Sequence, residues 1–360
     1  MNHHRVRVGL IAAVALLVQT ALAGPIAAQD ATPATSPGAG ATIDQIAVVT
    51  PASRTNQGWD QQAADAVESV AQEAGIDAVV AENAGYEDIT PVLRDLAAGG
   101  AGLIICHASG YQTVCPEFAA ESGVPVAVIE NPDAVSPGLV ADIETQAQEV
   151  AYLAGVLAGK TTQTGTVGVV VSGEPPTWNY MTVGFAEGLK AAKSDAKMLY
   201  SVIGEAAYDD AAGAKRVTEQ QLAADADVIF GMGDGASFGM IQAIEEHNAQ
   251  EGATKAWFID VIGDKKAEHG DVLLSSVLFD YTGIYKQMLD DLAAGTFGKI
   301  YTMDVKNGGV RLLDLPEDVA QEAKDAVTEA ESAIVDGSVT VSAISDAEEM
   351  KAKIAELFPQ

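Results

Sequence analysis

Leu139-Val-Ala-Asp-Ile143, then Glu149-Val-Ala-Tyr-Leu-Ala-Gly-Val-Leu-Ala-Gly159, then Gly165-Thr-Val-Gly-Val-Val-Val171 read as strand, helix and strand, and this run decides the fold. Val150, Leu153, Val156 and Leu157 repeat at the 3.6-residue period of one helix face. Upstream lie four more apolar, β-branched runs: Ile46-Ala-Val-Val-Thr50, Ala78-Val-Val-Ala81, Leu103-Ile-Ile-Cys106 and Val126-Ala-Val-Ile129. Downstream come Met198-Leu-Tyr-Ser-Val202, Val228-Ile-Phe230, Trp257-Phe-Ile259 and Leu273-Leu-Ser-Ser-Val277. Amphipathic stretches separate them, with stripes such as Ala63, Val67, Val70, Ala71 and Val183, Phe185, Leu189, Ala192. Continuous apolar strands between helices form a parallel sheet covered on both faces. The series before the run resembles the series after it. The chain therefore reads as α/β, with two Rossmann-like lobes and a central cleft where loops leave the carboxyl ends of the strands.

The two ends depart from this pattern. Residues 300–315 read as an extended hairpin turning at Asn307-Gly308-Gly309, and two acidic helices follow at 316–336 and 345–357. At the start, Arg5 and Arg7 precede an apolar run over residues 8–22. Small-residue sites follow at Ala21-Leu22-Ala23 and Ile26-Ala27-Ala28, so residues 1–28 read as a cleavable export signal. The run is too short for a stable membrane span. Residues 29–43 read as a flexible linker rich in Pro, Ala, Thr, Ser and Gly. The protein is expected in the periplasm or at the cell surface, with no cysteine placed for lipid attachment. Export removes most ATP-, NAD- and CoA-dependent chemistry, and no cofactor is expected.

The formal charge is −31, and −33 once the two signal arginines are gone. Such a surface repels phosphate backbones and anionic lipid, which excludes nucleic acid as a partner. The acids are scattered and apolar content is 48%, as in a folded protein with an acidic coat. Cys106 and Cys115 either close a small loop as a disulfide or stand as two buried thiols. His107, His247 and His269 have no metal-ligand spacing.

Two motifs mimic catalytic loops. Gly155-Val-Leu-Ala-Gly159-Lys160-Thr161 resembles a phosphate loop, but its glycines stand one residue too close and it ends a helix instead of beginning one. It reads as a helix C-cap with a basic last turn. Gly235-Ala-Ser237-Phe-Gly239 matches the G-x-S-x-G elbow, and Asp264 and His269 follow in hydrolase order. Its strand, however, is expected to end near Phe230, and no His-Gly-Gly motif precedes it. An exported serine hydrolase built on Ser237 is thus the alternative reading. The glycine-rich stretch 231–235 instead lets backbone and Asp234 approach a ligand. Aromatic and acidic residues collect at strand ends: Trp59-Asp60, Tyr111, Trp178-Asn179-Tyr180 and Phe279-Asp280-Tyr281. Flat rings held between aromatic faces, with polar atoms bound by carboxylates, describe sugar or nucleobase recognition.

At this point the chain resembles the basic membrane protein family of ABC-transporter substrate-binding proteins, which includes purine-nucleoside receptors. The resemblance spans roughly residues 46–313. It rests on Asn56-Gln-Gly-Trp59-Asp60-Gln, on Tyr152-Leu-Ala-Gly155 before Gly165-Thr-Val-Gly168, on Gly184-Phe-Ala-Glu-Gly188, and on Gly308-Gly-Val310. It implies a type I periplasmic-binding fold with three hinge crossings, near 141–145, 277–280 and 295–299. The N-terminal lobe would comprise 44–141 plus 279–297, and the C-terminal lobe 142–278 plus 298–360. It also implies a monomer that captures a nucleoside, base or sugar-like solute and delivers it to a membrane permease, without turnover; a ligand sensor for a membrane receptor would share the fold. By match to the family motifs, Trp59 stacks on the ligand, Asp60 replaces a base-contacting Asn, Tyr111 is a site aromatic and Asp234 lies in a ligand loop. Asn56, Trp178, Asp260, Phe279 and Asp280 complete the expected ligand-binding set. Three positions depart from the family pattern: Thr113 replaces an acid, Asp260 to Asp264 shifts a ribose-holding Asp, and Phe279 replaces a Lys.

Overall fold

A computed structural model describes residues 42–359; the expected signal and the linker up to residue 41 lie outside the described residues. Each apolar run becomes a strand and each amphipathic stretch a helix. The first series runs β1 (Gln45–Val49), α1 (Trp59–Ala74), β2 (Asp77–Ala81), α2 (Thr90–Ala98), β3 (Leu103–Cys106), α3 (Val114–Ser122), β4 (Val126–Ile129) and β5 (Val140–Thr145). Helix α4 (Ala147–Thr161) leads to β6 (Thr166–Val171), α5 (Pro176–Ala192), β7 (Lys197–Val202), α6 (Ala211–Ala223), β8 (Ala226–Met232) and α7 (Ser237–Asn248). Then come β9 (Trp257–Val261), α8 (Lys266–His269), β10 (Leu273–Phe279), α9 (Thr282–Ala294), β11 (Ile300–Met303), β12 (Val310–Leu312), α10 (Gln321–Val335) and α11 (Ala347–Leu357).

The strands form two six-stranded sheets, ordered β11-β5-β4-β3-β1-β2 and β12-β10-β9-β8-β6-β7. Every pairing is parallel except β10 with β12. Burial explains the uniform apolarity of the inner strands: Ile46, Val48, Val167 and Val169 have no exposed surface. Each such side chain stabilises the fold by roughly 1.5–3 kcal/mol. Strand order reverses direction between β1 and β3 in one sheet and between β6 and β8 in the other. Loops leaving these strands define the crevice of each lobe.

The stretch that decides the fold also makes the closest helix contact. A Cβ on Gly155 of α4 would stand 2.1 Å from the Phe185 carbonyl oxygen of α5. One on Gly188 would stand 2.0 Å from that of Tyr152, and one on Gly184 2.3 Å from that of Gln148. The two backbones touch, and glycine alone permits it. Helix α4 runs to Thr161 and is capped at Thr162, so Gly159 lies inside it and is not the expected C-cap; there it leaves room for Ala192.

Three expectations are corrected. Residues 300–315 are not a hairpin, because β11 joins the first sheet beside β5 while β12 joins the second beside β10. Each short strand satisfies its backbone at the open edge of a different sheet. The expected lobe boundaries at 141 and 297 therefore cut off Asp142 to Thr145 and exclude β11, all of which belong to the first sheet. The chain passes between sheets after Thr145, after Phe279 and between Met303 and Val310. Strand β8 reaches Met232 instead of ending near Phe230. Among the described residues no helix is long and apolar enough to cross a membrane.

Candidate functional site

The loop after β1 builds a carboxylate pocket from its own polar atoms. Asn56 receives the Gly58 N–H on Oδ1 (3.0 Å) and donates from Nδ2 to Asp60 Oδ2 (2.7 Å), while Ala52 N–H donates to Asp60 Oδ1 (3.2 Å). Asp60 lies in the first turn of α1, where the helix dipole favours an anion, yet only 6% of its surface is exposed. Burial pushes its carboxyl up; the hydrogen bonds pull against this, and the charge of Asp209 across the cleft adds to the rise.

Trp59 is held on two sides. Its Nε1 donates to the Tyr281 hydroxyl (2.6 Å), and its ring lies 4.0 Å from that of His107. His107 is fully buried after β3, contacts the Trp59 carbonyl through Nε2 (3.2 Å) and meets Tyr281 edge-on at 5.0 Å. Burial depresses the imidazole to about 3, so it is neutral and its partnered Nε2 carries the proton. A Cys106–Cys115 disulfide closes the loop carrying His107 and Tyr111, which resolves the two readings left open by the sequence. Tyr111 is buried, and its hydroxyl donates to the Gly85 carbonyl (2.5 Å), which fixes the neighbouring Tyr86 loop.

The second lobe presents the loops after β6, β7, β8 and β9. Trp178, nearly buried in α5, meets Tyr208 edge-on at 5.4 Å. Ala236 N–H donates to the Tyr208 carbonyl (2.7 Å), tying the loop of Tyr208 and Asp209 to that of Asp234. Asp234 has φ +47° and no side-chain hydrogen bond among the described residues. It keeps some accessible surface, and the charge of Asp60 in the other lobe reaches it. Burial, then the charges of Asp60 and Asp260, push its carboxyl up to about 7.

Asp260 is fully occupied. It receives Ser237 Oγ (2.8 Å), Val261 N–H (2.9 Å) and the buried Lys265 ammonium (2.6 Å). Lys265 also donates to the carbonyls of Ile262 (3.0 Å) and, across the cleft, Gln57 (3.1 Å). The loop is strained at this contact: Ile262 has φ +92°, Gln57 φ +53°. A second bridge joins the lobes at Glu130, whose carboxylate receives the hydroxyls of Thr177 (2.7 Å), Tyr180 (2.8 Å) and Thr145 (3.1 Å).

The structure thus gathers Asn56, Trp59, Asp60 and Asp234 at the crevice, with Tyr111 and Trp178 behind its loops. Asp260 is committed to Ser237 and Lys265. Phe279 and Asp280 line an open recess with Gln62, Asp65, Tyr281 and Arg311, and the Phe279 N–H donates to Gln62 Oε1 (2.9 Å). Tyr281, on the same recess, also accepts from Trp59 Nε1. Ser237 is wholly buried and spends its hydroxyl on a carboxylate, while His269 pairs with Glu245 (2.9 Å); nothing here supports a hydrolase. Sequence reasoning missed His107, Tyr281, Glu130 and Lys265. Only Tyr281 carried a signal, its place in the aromatic loop.

Two α/β lobes, crossed three times and facing one another across aromatic and carboxylate side chains, define a two-lobed solute-binding protein. Similar structures include solute-binding proteins from Aeropyrum pernix (TM-score 0.73, 21% identity, covering 87% of this chain and 99% of that one) and Conexibacter woesei (0.71, 20%, 84% and 99%). The family model described as ABC transporter substrate-binding protein PnrA-like matches residues 43–345, and the chain belongs to that family. It is 32% identical over 206 residues to the ABC transporter nucleoside-binding protein BmpA of Lactococcus lactis, covering 54% of this chain and 57% of that protein's length. It is 23% identical to Basic membrane protein A of Borreliella burgdorferi over 84% of this chain and 88% of that one.

Proposed function

We propose that the protein binds a nucleoside, nucleobase or similar ring compound outside the cytoplasm and delivers it unchanged to a membrane permease. One observation carries this reading: a braced indole, Trp59, stands beside Asp60 in one lobe, and the charge of Asp60 reaches Asp234 in the other. A flat ring stacks on an indole, and carboxylates accept the N–H and O–H donors of a base or ribose. Tyr111 and Trp178 support the walls of this cleft. The lactococcal relative's description points to the same ligand class. A carboxylate-lined cleft disfavours phosphorylated solutes, because each phosphate would need a partner of opposite charge on closure.

The test is a thermal-shift screen of nucleosides, bases and neutral sugars, followed by calorimetry on any hit. Nucleosides or bases should raise the melting temperature with concentration. Trp59→Ala should weaken the hit by several-fold, on the order of 1 kcal/mol. A screen in which only anionic compounds bind would refute the proposal.

A further inference from the structure

Resting on the proposal that a ring solute enters this cleft, we infer that Tyr86 is a further residue of the solute site: an exposed ring, on the loop after β2, against which the solute's flat face is laid. Exposure sets this side chain apart. Tyr86 keeps 65% of its surface accessible, more than any other large hydrophobic among the described residues, whereas Tyr111, Tyr281 and Tyr285 are buried. An aromatic ring held in water forgoes the stabilisation that burial would bring.

The ring is nevertheless held. Asn83 (φ +59°) and Gly85 (φ +68°) turn the chain through the left-handed region just before it. The Asn83, Ala84 and Gly85 N–H groups donate to the carbonyls of Ala52, Thr50 and Pro51, each at 3.0 Å. From the other side, the Tyr111 hydroxyl donates to the Gly85 carbonyl (2.5 Å). The Tyr86 ring meets that of Tyr111 at 6.5 Å, tilted by 42°. It also presses on Gly110, where a Cβ would stand 2.9 Å from Tyr86 Cδ1. Glycine at that position lets the ring rest on backbone, which fixes one side and leaves most of the ring open.

The loop's place aims the open part at the cleft. Tyr86 follows the carboxyl end of β2, which lies beside β1 in the first sheet, and ligands of α/β sheets bind outside the carboxyl ends of the strands. Ala52, which receives Asn83, donates its own N–H to Asp60 Oδ1 (3.2 Å), so Tyr86 and Asp60 belong to one bonded loop assembly. Lost hydration, then the charges of Asp60 from the first lobe and Asp234 from the second, push the Tyr86 hydroxyl up to about 12. The phenol is therefore neutral and keeps its proton to donate. An apolar face with a polar tip suits a heterocycle edged by ring nitrogens or hydroxyls.

Because Tyr86 is exposed, removing its ring takes nothing from the core. Calorimetry on the whole protein uses adenosine, guanosine, inosine and adenine as probes, with wild type, Tyr86→Ala, Tyr86→Leu and Tyr86→Phe. Ligand-free Tyr86→Ala should melt within about 1 °C of wild type, while its affinity for the tightest probe falls at least about fivefold. Tyr86→Leu should bind as weakly as Tyr86→Ala, and Tyr86→Phe should recover most of the loss, because a ring face is needed and bulk alone is not. Hydroxyl-radical footprinting of the wild type should show Tyr86 oxidised readily in the free protein and several-fold more slowly with the probe bound. If Tyr86→Ala melts earlier, this footprint decides. Equal affinity of wild type and Tyr86→Ala, or an unchanged oxidation rate at Tyr86, overturns the assignment and leaves the nucleoside reading intact. Binding of none of the four probes overturns both.

Discussion

Asp234 and His107 carry opposite pH signatures. Asp234 has its folded pKa raised to about 7, so the folded protein binds a proton that the unfolded chain lacks between about pH 4 and 7. Its ionisation destabilises the fold above pH 7, and that cost is relieved as pH falls. His107 is depressed to about 3, so its contribution is whole above pH 6.5 and is lost as pH falls below 6.5 and the unfolded chain takes the proton. In ligand-free protein, Asp234→Asn should raise the melting temperature at pH 8, by up to a few kcal/mol in stability, and the gain should shrink as pH falls below 7 and vanish near pH 4. A variant less stable than wild type at pH 8 would show that Asp234 has a partner. At this scale the sequence was only partly legible. Trp59 and Asp60 announced themselves by residue type beside a strand end. His107 did not, because its role depends on two rings distant in sequence.

At the scale of elements, two joints hold the site loops. The Cys106–Cys115 disulfide closes a short loop, and removing it as Cys106→Ser/Cys115→Ser should cost about 2–3 kcal/mol, seen as a fall of several degrees in melting temperature. Free-thiol titration of the unfolded, unreduced protein should find none. The α4–α5 contact is the other joint. Gly155→Ala places a methyl against a backbone carbonyl that cannot turn aside. It should cost about 1–3 kcal/mol or more in urea denaturation; a neutral result would mean the helices can separate without loss. The helices were legible from their period, and Gly155, Gly184 and Gly188 were visible as motif residues. Their purpose was not, because a glycine's meaning lies in the partner backbone that occupies the missing side chain's place.

For the whole molecule, the closed arrangement rests on a few bonds between lobes. Glu130 receives Thr177 and Tyr180 from α5, and Gln57 receives Lys265. Thr177→Val removes a donor to a charged acceptor, worth about 1.5–3 kcal/mol, without touching Trp59, Asp60 or Asp234. It should lower the affinity of any bound solute by about tenfold through the population of the closed state, and small-angle scattering should show a larger ligand-free radius. Unchanged affinity with an expanded shape would separate closure from binding. The two-lobed plan was readable because nearly every strand is apolar throughout. Two of the three crossings lie where the sequence placed them; the third does not, because β11 and β12 are short strands whose residues do not say which sheet each joins.

That sorting constrains how the molecule comes into being. Ile300 pairs with Asp142, so the first sheet waits for its sixth strand until every strand of the second sheet except β12 has been synthesised. During translation from the ribosome, the early strands therefore remain without their edge while later ones emerge. Contacts so distant in sequence close slowly, and partly built α/β sheets offer open edges to neighbours. The same interleaving that lets three strands serve as a hinge thus ties the two lobes into one late, shared folding event.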